Sequence, residues 1–391
     1  MKKNTFAALA LCAALALTGC GSTPASSSPA SSAASSTPPV TASFGSYTNF
    51  DYQNFVYNDY FSAGGRWLDV DATALVTLPA DYAAVPLDGV DLAPTDAEVQ
   101  TEVNNLLAST ATTRQVTDRA AANGDTVNID YLGKVNGVAF VGGEAAGYNL
   151  TLGSGAFIGA NGENKGFEEQ IVGHIPGETF DITVTFPTGY DDSADAEGNV
   201  IPLSGTEAVF TVTLNHITET VVPELTDDWV MSNMFDLYGI TKADEVAPRI
   251  HEDILYTNQA NYIYDYLMDH ATFGEVPAKV LAFEVNSCLE YYAGYAAYYG
   301  LTLEEFVTQV VGYGTVDELL ASTEETILLL SRQDLLYHAL GDAFQITVTD
   351  EDMAAYQNYV ATYGENYVRY QVMINLVTDK LVQGATGTAA Q

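Results

Sequence analysis

The stretch VNIDYLGKVNGVAFVGG, residues 127–143, decides the fold of this chain. Before the dipeptide Asn136-Gly137, apolar and polar residues alternate, as in a strand that buries one face. Asn-Gly favours the tight turn that joins neighbouring antiparallel strands. The stretch therefore predicts a β-hairpin, and each of its two strands carries one aromatic residue, Tyr131 or Phe140.

Two further stretches also alternate with a period of two residues: TFDITVTF, residues 179–186, and AVFTVTLNHI, residues 208–217. Turns rich in glycine and asparagine separate the strands, and the segment GFEEQIVG predicts a short helix. Together these elements predict an α+β fold class. We expect a small antiparallel sheet, wrapped on one short helix, over residues 124–220.

Beyond Pro223 the strand signals vanish and helical periodicity takes over. Pairs such as Thr302 with Glu305 have the spacing of a capping box, in which each residue satisfies a backbone N–H at a helix N-terminus. Residues 221–391 are therefore predicted to form an extended all-α domain.

The N-terminus has the features of a secretory leader. Two lysines precede an apolar run, residues 6–17, that is too short to span a membrane. The sequence LTGC at residues 17–20 resembles a lipobox, the processing site of bacterial lipoproteins. This resemblance implies a signal peptide over residues 1–19 and lipidation of Cys20; a chance cysteine is the alternative. We expect an extracytoplasmic protein that is lipid-anchored to the cell membrane.

Three segments connect the leader to the predicted sheet. Residues 20–43 are dominated by Ser, Ala, Thr and Pro, which is typical of a tether. Residues 44–94 form an aromatic-rich N-terminal segment. Within it, residues 44–66 have no clear period, so we expect them to be partly ordered, and ALVTLPADYAAVPL, residues 74–87, predicts a short extended piece. The stretch TDAEVQTEVNNLLA has the apolar face of a helix and begins a linker that we assign to residues 95–123.

Charge and cysteine content exclude several kinds of partner and site. With 13 Lys and Arg against 51 Asp and Glu, the formal net charge is −38, which repels nucleic acid. We therefore expect no nucleic-acid partner. Once Cys12 leaves with the leader and Cys20 is lipidated, Cys288 remains, which excludes an intramolecular disulfide and a zinc cluster. We interpret Cys288 as a small buried apolar residue.

Residues from about 95 to 217 resemble the linker and the FK-binding-type prolyl isomerase domain of the trigger factor family. The resemblance is carried, in order and spacing, by TDAEVQTEVNNLLA, QVTDRAAANGDTVNIDYLGKVNGVAFVGGEA, YNLTLGSGAFI, GFEEQIVGHIPGETFDITVTFPTGY and AVFTVTLNHI. The helical part, from ELTDDWV to ITVTDEDMAAY, resembles the substrate-cradling domain of that family more weakly. The leader, tether and aromatic segment stand where the family has its ribosome-binding domain, so the resemblance implies no ribosome partner.

The resemblance implies a peptidyl-prolyl isomerase that needs no cofactor and no metal. Rotation about an X-Pro bond meets a barrier of about 20 kcal/mol from amide resonance, and the twisted amide is less polar than the planar one. An apolar, aromatic pocket therefore favours the twisted state. By resemblance, the site residues are Tyr131, Phe140, Tyr148, Phe157, Ile158, Phe167, Tyr190 and Phe210. Ordinary core packing is the alternative for each of them.

Three departures from the family pattern bear on this site. Val141 stands where the family usually has an acidic residue that helps to orient the substrate. The segments GANGENK, residues 159–165, and DDSADAEGNVIPLSG, residues 191–205, enlarge two loops at its rim. The second loop offers oxygen ligands for calcium, or it is a solvated acidic loop. Its candidate ligands are Asp191, Asp192, Asp195, Glu197 and Asn199.

These observations predict a peptidyl-prolyl isomerase and folding chaperone for secreted proteins at the cell surface. Its expected partners are unfolded or partly folded secreted polypeptides with X-Pro bonds. A non-catalytic holdase with a degenerate pocket and a surface adhesin or ligand-binding lipoprotein are the alternatives. The tyrosines of YYAGYAAYYG, residues 291–300, form a helical stripe that suits apolar clients or ordinary packing between helices.

Overall fold

The computed structural model describes residues 44–386, which form two compact units. One unit contains residues 96–250, and the other combines residues 44–95 with residues 251–386. The sequence analysis assigned everything after residue 220 to one helical domain, whereas the structure groups residues 221–250 with the sheet. The aromatic N-terminal segment belongs to the helical unit.

The predicted leader, the predicted lipidation site Cys20 and the predicted tether up to residue 43 lie outside the described residues. Within residues 44–386, no helix combines the length and the apolar composition that a membrane crossing requires. Cys288, which the sequence analysis interpreted as a buried apolar residue, is 4% exposed.

The secondary structure is mixed. The described strands are β1 (Val76–Thr77), β2 (Thr112–Val116), β3 (Thr126–Val135), β4 (Val138–Thr151), β5 (Thr179–Thr185), β6 (Ser193–Ala194), β7 (Val200–Ile201), β8 (Glu207–Val221) and β9 (Thr272–Phe273). The described α-helices are α1 (Ala72–Leu75), α2 (Asp96–Ser109), α3 (Phe167–Ile171), α4 (Asp227–Asn233), α5 (Phe235–Tyr238), α6 (Val246–His270), α7 (Ala278–Tyr298), α8 (Leu303–Phe306), α9 (Val316–Ala343), α10 (Asp350–Met353), α11 (Gln357–Tyr363) and α12 (Glu365–Gly384). A π-helical turn, Val307–Val311, follows α8.

A five-stranded antiparallel sheet forms the core of the unit at residues 96–250. Strand β3 pairs with β4 on one side and with β8 on the other, and both β2 and β5 also pair with β8. Asn136 and Gly137 have φ angles of 50° and 84°, which is the left-handed backbone that a tight two-residue hairpin turn needs. The predicted hairpin is therefore confirmed, as is the α+β fold class.

Helix α3 packs against this sheet through its apolar side chains. Phe167 and Ile171 are both 0% exposed and join one hydrophobic cluster with residues from β3, β5 and β8. Burying a side chain of this size contributes roughly 1.5–3 kcal/mol. A helix of only five residues, Phe167–Ile171, is stable here because of that packing rather than because of its length.

Long helices dominate the other unit, close to where the sequence predicts them. The capping box at Thr302 and Glu305 is present at the start of α8. One local feature differs from the expectation of a purely helical C-terminal part, because β9 pairs with β1 (Val76 opposite Phe273). Strand β1 lies within residues 74–87, which the sequence predicts to be extended, whereas the two residues of β9 have no periodicity that could reveal them.

The N-terminal segment is more ordered than the sequence suggests. It begins with three short 3₁₀ turns, Tyr47–Asn49, Tyr52–Asn54 and Tyr57–Tyr60. Phe61 is 1% exposed and stacks on Tyr370 with ring centroids 4.6 Å apart. Aromatic residues without helical or strand spacing thus form part of the core of the helical unit.

Candidate functional site

Three buried aromatic rings form a floor on the sheet. Phe140, Phe167 and Phe210 are 7%, 0% and 5% exposed. The ring centroid of Phe210 lies 5.3 Å from that of Phe167 and 6.0 Å from that of Phe140, in both cases with the rings nearly perpendicular. Gly133 pairs with Phe210 across the strands, and a Cβ atom at Gly133 would collide with the Phe210 ring. The glycine thus lets this ring lie flat on the sheet.

Three further rings rise from the floor towards solvent. The Tyr131 ring lies 5.5 Å from Phe157, 6.1 Å from Tyr148 and 6.0 Å from Phe167 between centroids. Phe157 also packs on Phe167 at 4.6 Å and on Tyr148 at 5.4 Å. Tyr148 is 41% exposed, whereas Tyr131 and Phe157 are half-buried. We call these six residues the aromatic basin: Tyr131, Phe140, Tyr148, Phe157, Phe167 and Phe210.

The two other predicted site residues lie at the edge of this basin. Ile158 is half-buried and packs against the same cluster. Tyr190 is 46% exposed and reaches the basin through Phe186, whose ring lies 4.7 Å from Tyr190 and 5.9 Å from Phe140. The structure therefore brings all eight predicted residues into one neighbourhood, with Tyr190 one ring further out than the rest.

Ile158, which packs at the edge of the basin, also has backbone groups of interest. The carbonyl of Ile158 accepts a hydrogen bond from the N–H of Phe167 at 2.8 Å. Among the described residues, none accepts a hydrogen bond from the N–H of Ile158. A backbone N–H beside an apolar floor is a ready donor for the carbonyl oxygen of a bound peptide.

Sequence reasoning missed the residue that holds this rim in place, Glu168. Its buried carboxylate accepts hydrogen bonds from the N–H groups of Gly153 (2.7 Å), Gly155 (3.1 Å) and Phe157 (3.1 Å), and from Ser154 Oγ (3.1 Å). Burial acts to raise the pKa of Glu168, but the donated hydrogen bonds outweigh it and hold the pKa below its usual value. The sequence signal was an acid in the first turn of a helix after a glycine-containing loop, a position that also suits a solvent-exposed residue.

Both enlarged loops are tied down by their own polar residues. In the first, Asn161 Nδ2 donates to the carbonyl of Phe186 at 3.2 Å and Asn164 Nδ2 donates to Thr185 Oγ1 at 2.8 Å. In the second, Ser193 Oγ donates to the carbonyl of Val141 at 2.8 Å. The Val141 side chain itself is 70% exposed.

Two acidic residues of the second loop accept hydrogen bonds from the loop itself. Asp195 accepts from the N–H groups of Glu197 (3.0 Å) and Asn199 (2.7 Å) and from Asn199 Nδ2 (2.8 Å). Asp192 accepts from the N–H of Leu203 at 3.3 Å. In the part of the chain that the structure describes, no group of three or more His, Cys, Asp and Glu side chains is arranged to hold a metal ion.

Comparison with known proteins gives one domain-level match. Residues 117–215 match the family of FKBP-type peptidyl-prolyl cis-trans isomerases. The matched range contains the whole aromatic basin together with Glu168 and both enlarged loops.

Several trigger factors are similar to the chain over most of its length. It is 30% identical over 332 residues to the trigger factor of Staphylococcus saprophyticus, covering 78% of this chain and 71% of that one. It is 32% identical to that of Finegoldia magna (73% and 62% covered) and 34% identical to that of Latilactobacillus sakei (61% and 52% covered). The chain thus spans little more than half the length of some of the relatives it matches. A solved structure titled for promiscuous substrate recognition by the trigger factor chaperone aligns with a TM-score of 0.33 and 14% identity, over 79% of this chain and 72% of that one.

Proposed function

The chain belongs to the trigger factor family, and on that premise we propose that it is a folding chaperone that also isomerises X-Pro peptide bonds. The observation that carries the catalytic part is the basin, where aromatic rings from three strands, one helix and one loop converge and Ile158 packs at the edge. The match of residues 117–215 to the FKBP-type isomerase family supports the same reaction.

The basin acts by solvation and positioning. A proline ring enters over Phe167 and Phe210, and the X-Pro amide leaves water for an apolar surface. Because the planar amide is more polar than the twisted one, this transfer costs the ground state more than the transition state, which lowers the barrier of about 20 kcal/mol. The reaction breaks no covalent bond, so it needs no nucleophile.

Each rim residue has a distinct proposed task. The N–H of Ile158 donates to the carbonyl oxygen of the substrate and fixes one side of the rotating bond. Tyr131, Tyr148 and Phe157 wall the proline ring, while Phe140 supports the floor. Tyr190, on the enlarged second loop, contacts residues that flank the proline. Glu168 is a positioning residue, because it acts through the loop that carries Phe157.

We further propose that the protein works outside the cytoplasm, anchored by a lipid on Cys20. The lipobox-like LTGC, the apolar leader before it and the uncharged tether after it support this location. The net charge of −38 keeps the body away from nucleic acid and anionic surfaces. Its clients are then unfolded secreted polypeptides, and neither ribosomes nor nucleic acids are partners.

A non-catalytic holdase is the second candidate. One observation favours it: Val141 stands, 70% exposed, where an acidic residue is usual in the family. Without that carboxylate the basin has one fewer group to orient a substrate. Under this alternative the basin binds proline-containing segments without accelerating their isomerisation.

One experiment separates the two candidates. NMR exchange spectroscopy measures the cis/trans exchange rate of a short Phe-Pro peptide with the full chain and with its Tyr131→Ala and Phe140→Ala variants. Tyr298→Ala is the matched control, since Tyr298 is 83% exposed and lies in the helical unit. We expect acceleration that falls by at least about tenfold in the two basin variants and not in the control. No acceleration by the unmodified chain contradicts the isomerase and leaves the holdase, which suppression of aggregation of a denatured protein then tests.

A further inference from the structure

One face of helix α7, in the helical unit, lines a cavity of about 440 Å³, which we call the α7 cavity. Lys279, Ala282 and Asn286 are spaced by three and four residues, so their side chains lie on the same face of the helix. The opposite wall comes from six residues between Asp51 and Tyr60. A cavity of this size is large enough for a small organic ligand.

Ala282 keeps the middle of the α7 cavity open. Its neighbours on this face of the helix, Lys279 and Asn286, have longer side chains, and the methyl group of Ala282 is the smallest side chain in the lining. Protein interiors are normally close-packed, so a small residue between two larger ones leaves room that a ligand is able to fill.

The buried end of the cavity presents one hydrogen-bond acceptor. Asn286 is 5% exposed, and no donor among the described residues lies within hydrogen-bond distance of its Oδ1 atom. The same side chain is held in place by Tyr60: burial raises the pKa of Tyr60, and a side-chain hydrogen bond with Asn286 opposes that rise. A buried acceptor without a donor is costly, so Asn286 Oδ1 favours a ligand that brings an N–H group.

An apolar wall stands beside this acceptor. The rings of Phe55 and Tyr60 lie 5.6 Å apart between centroids, and both pack on the buried ring of Phe283, at 5.5 Å and 5.2 Å. Val56, which also lines the cavity, is 49% exposed. The wall is therefore a supported apolar surface that suits a hydrocarbon side chain.

Groups of opposite charge lie on the two sides of the cavity. Lys279 lines it from α7, whereas Asp51 and Asp59 line it from the opposite wall and are exposed. Lys279 Nζ is 3.4 Å from Asp69 Oδ2, but the side chain of Asp69 is 91% exposed. An ion pair of this kind contributes little to stability, so Lys279 is able to turn to the carboxylate of a ligand.

We propose that the α7 cavity binds a free α-amino acid with an apolar side chain. The ammonium group of the ligand donates to Asn286 Oδ1, and Asp51 and Asp59 balance its charge. The carboxylate of the ligand lies at Lys279, and its side chain packs on the apolar wall.

The charges of the lining distinguish a free amino acid from a polypeptide. A residue within a polypeptide has neither an ammonium nor a carboxylate on its backbone, and a chain end has one of the two. The free amino acid has both, which matches the cation and the carboxylates of the lining. The inference is independent of the proposed isomerase and chaperone functions, because no residue of the aromatic basin takes part in it.

Isothermal titration calorimetry with the full chain tests the proposal. The probes are L-leucine, L-valine and L-phenylalanine, each titrated alone, and we expect at least one of them to bind with a Kd below about 1 mM. The matched controls are the amide of the bound amino acid, which lacks the carboxylate, and its N-acetyl derivative, which lacks the ammonium group. We expect each control to bind at least about tenfold more weakly.

Two variants of the chain locate the binding site. Ala282→Leu fills the cavity and Lys279→Met removes the ammonium group while it keeps most of the hydrocarbon stem, so we expect each to raise the Kd at least about tenfold. Ala297→Leu and Lys380→Met are the matched controls, because both sites are exposed in the helical unit and neither lines the cavity. If circular dichroism shows that Ala282→Leu is unfolded, Lys279→Met decides, since Lys279 is only half-buried.

Thermal unfolding gives a second reading of the same site. A ligand that binds the folded chain raises its Tm, so the bound amino acid is expected to raise the Tm of the unmodified chain and of the two control variants, but not that of Lys279→Met. Absence of both binding heat and a Tm shift with all three amino acids at about 5 mM overturns the proposal. Equal Kd values for the amino acid and its two derivatives, or for Lys279→Met and Lys380→Met, overturn it as well.

Discussion

Removing the charge of Glu168 tests whether one buried carboxylate organises the rim of the aromatic basin. In Glu168→Gln one carboxylate oxygen becomes an NH₂ group, which donates hydrogen bonds and does not accept them. In one orientation the NH₂ group replaces Oε2 and faces the N–H groups of Gly153 and Gly155. In the other it replaces Oε1 and faces the N–H of Phe157 and the hydroxyl of Ser154. Hydrogen bonds to a charged group contribute about 1.5–3 kcal/mol each, but the loop relaxes and takes up water. We expect a net loss of about 2–4 kcal/mol in the free energy of unfolding.

The assay reads the unit that contains Glu168. The chain has two tryptophans, Trp67 and Trp229, and Trp229 lies in the same unit as Glu168. In a Trp67→Phe background, the fluorescence of Trp229 therefore reports on the urea unfolding of that unit. Hydrogen exchange of the N–H groups of Gly153, Gly155 and Phe157, read by mass spectrometry, is expected to accelerate. Prolyl isomerisation is expected to slow with it, because Phe157 loses its position.

The pH dependence has a definite sign. The pKa of Glu168 is lower in the folded chain than in the unfolded one, so its contribution to stability is present above the unfolded pKa and is lost as the pH falls through the folded value. We therefore expect the free energy of unfolding of Glu168→Gln to fall less than that of the unmodified chain as the pH is lowered. Glu169→Gln is the matched control, since Glu169 is adjacent and exposed. A loss below about 0.5 kcal/mol, or an equal loss in the control, refutes the reasoning.

Three further predictions follow from the geometry. Burial raises the pKa of Asp334, so the free energy of unfolding falls as the pH rises through the folded pKa of this carboxyl. Asp334→Asn still accepts a hydrogen bond from Tyr370, and we expect it to remove this pH dependence and to add about 1–3 kcal/mol at pH 7.5, as urea unfolding followed by Trp67 fluorescence in a Trp229→Phe background measures. Gly133→Ala places a Cβ atom against the Phe210 ring and forces that ring off the sheet. We expect the free energy of unfolding in urea to fall by about 1–3 kcal/mol and the Phe-Pro exchange measured by NMR to become slower. Gly294→Ala serves as the control, because a Cβ atom there meets no neighbouring atom. The isomerisation rate is expected to be constant from about pH 5 to about pH 9, because the six residues of the basin include no carboxyl, imidazole or amine and because burial raises the pKa of Tyr131. A bell-shaped dependence of the rate on pH in the same NMR assay contradicts this expectation.

The fold was predictable where local chemistry decides it. Asn136-Gly137 specifies a turn with positive φ at both residues, and the alternating stretch before it indicates which face of β3 is buried. The register shifts between Ile129 and Tyr131 and between Leu132 and Lys134 do not follow from this pattern. The capping pair at Thr302 and Glu305 likewise marks a helix start by its own hydrogen bonds. The eight site residues, in contrast, came from a family resemblance, since aromatic residues in strands have the same pattern whether they line a pocket or fill a core.

The remaining features depend on contacts between distant parts of the chain. Glu168 matters because Gly153, Gly155 and Phe157 point their N–H groups at it, and nothing in the letters FEEQ distinguishes it from the exposed Glu169. The order of residues 44–55 was not predicted for a similar reason. Phe44, Tyr47, Phe50 and Tyr52 pack in or against a cluster that includes side chains of α7 and α9, and a segment whose rings are spaced to match another surface has no period of its own.

The absence of an acid at Val141 is compatible with catalysis once the sources of rate are separated. In the family a carboxylate there helps to orient the substrate, but in this chain strand β4 at Val141 holds the second enlarged loop instead, through the bond from Ser193 Oγ to the backbone carbonyl of Val141. The apolar floor and the N–H of Ile158 do not depend on that side chain. Under the proposed mechanism, the apolar surface, which costs the twisted amide less than the planar one, and the N–H of Ile158 therefore both remain. We expect the residue at position 141 to influence which residues around proline are preferred, rather than whether the bond is isomerised.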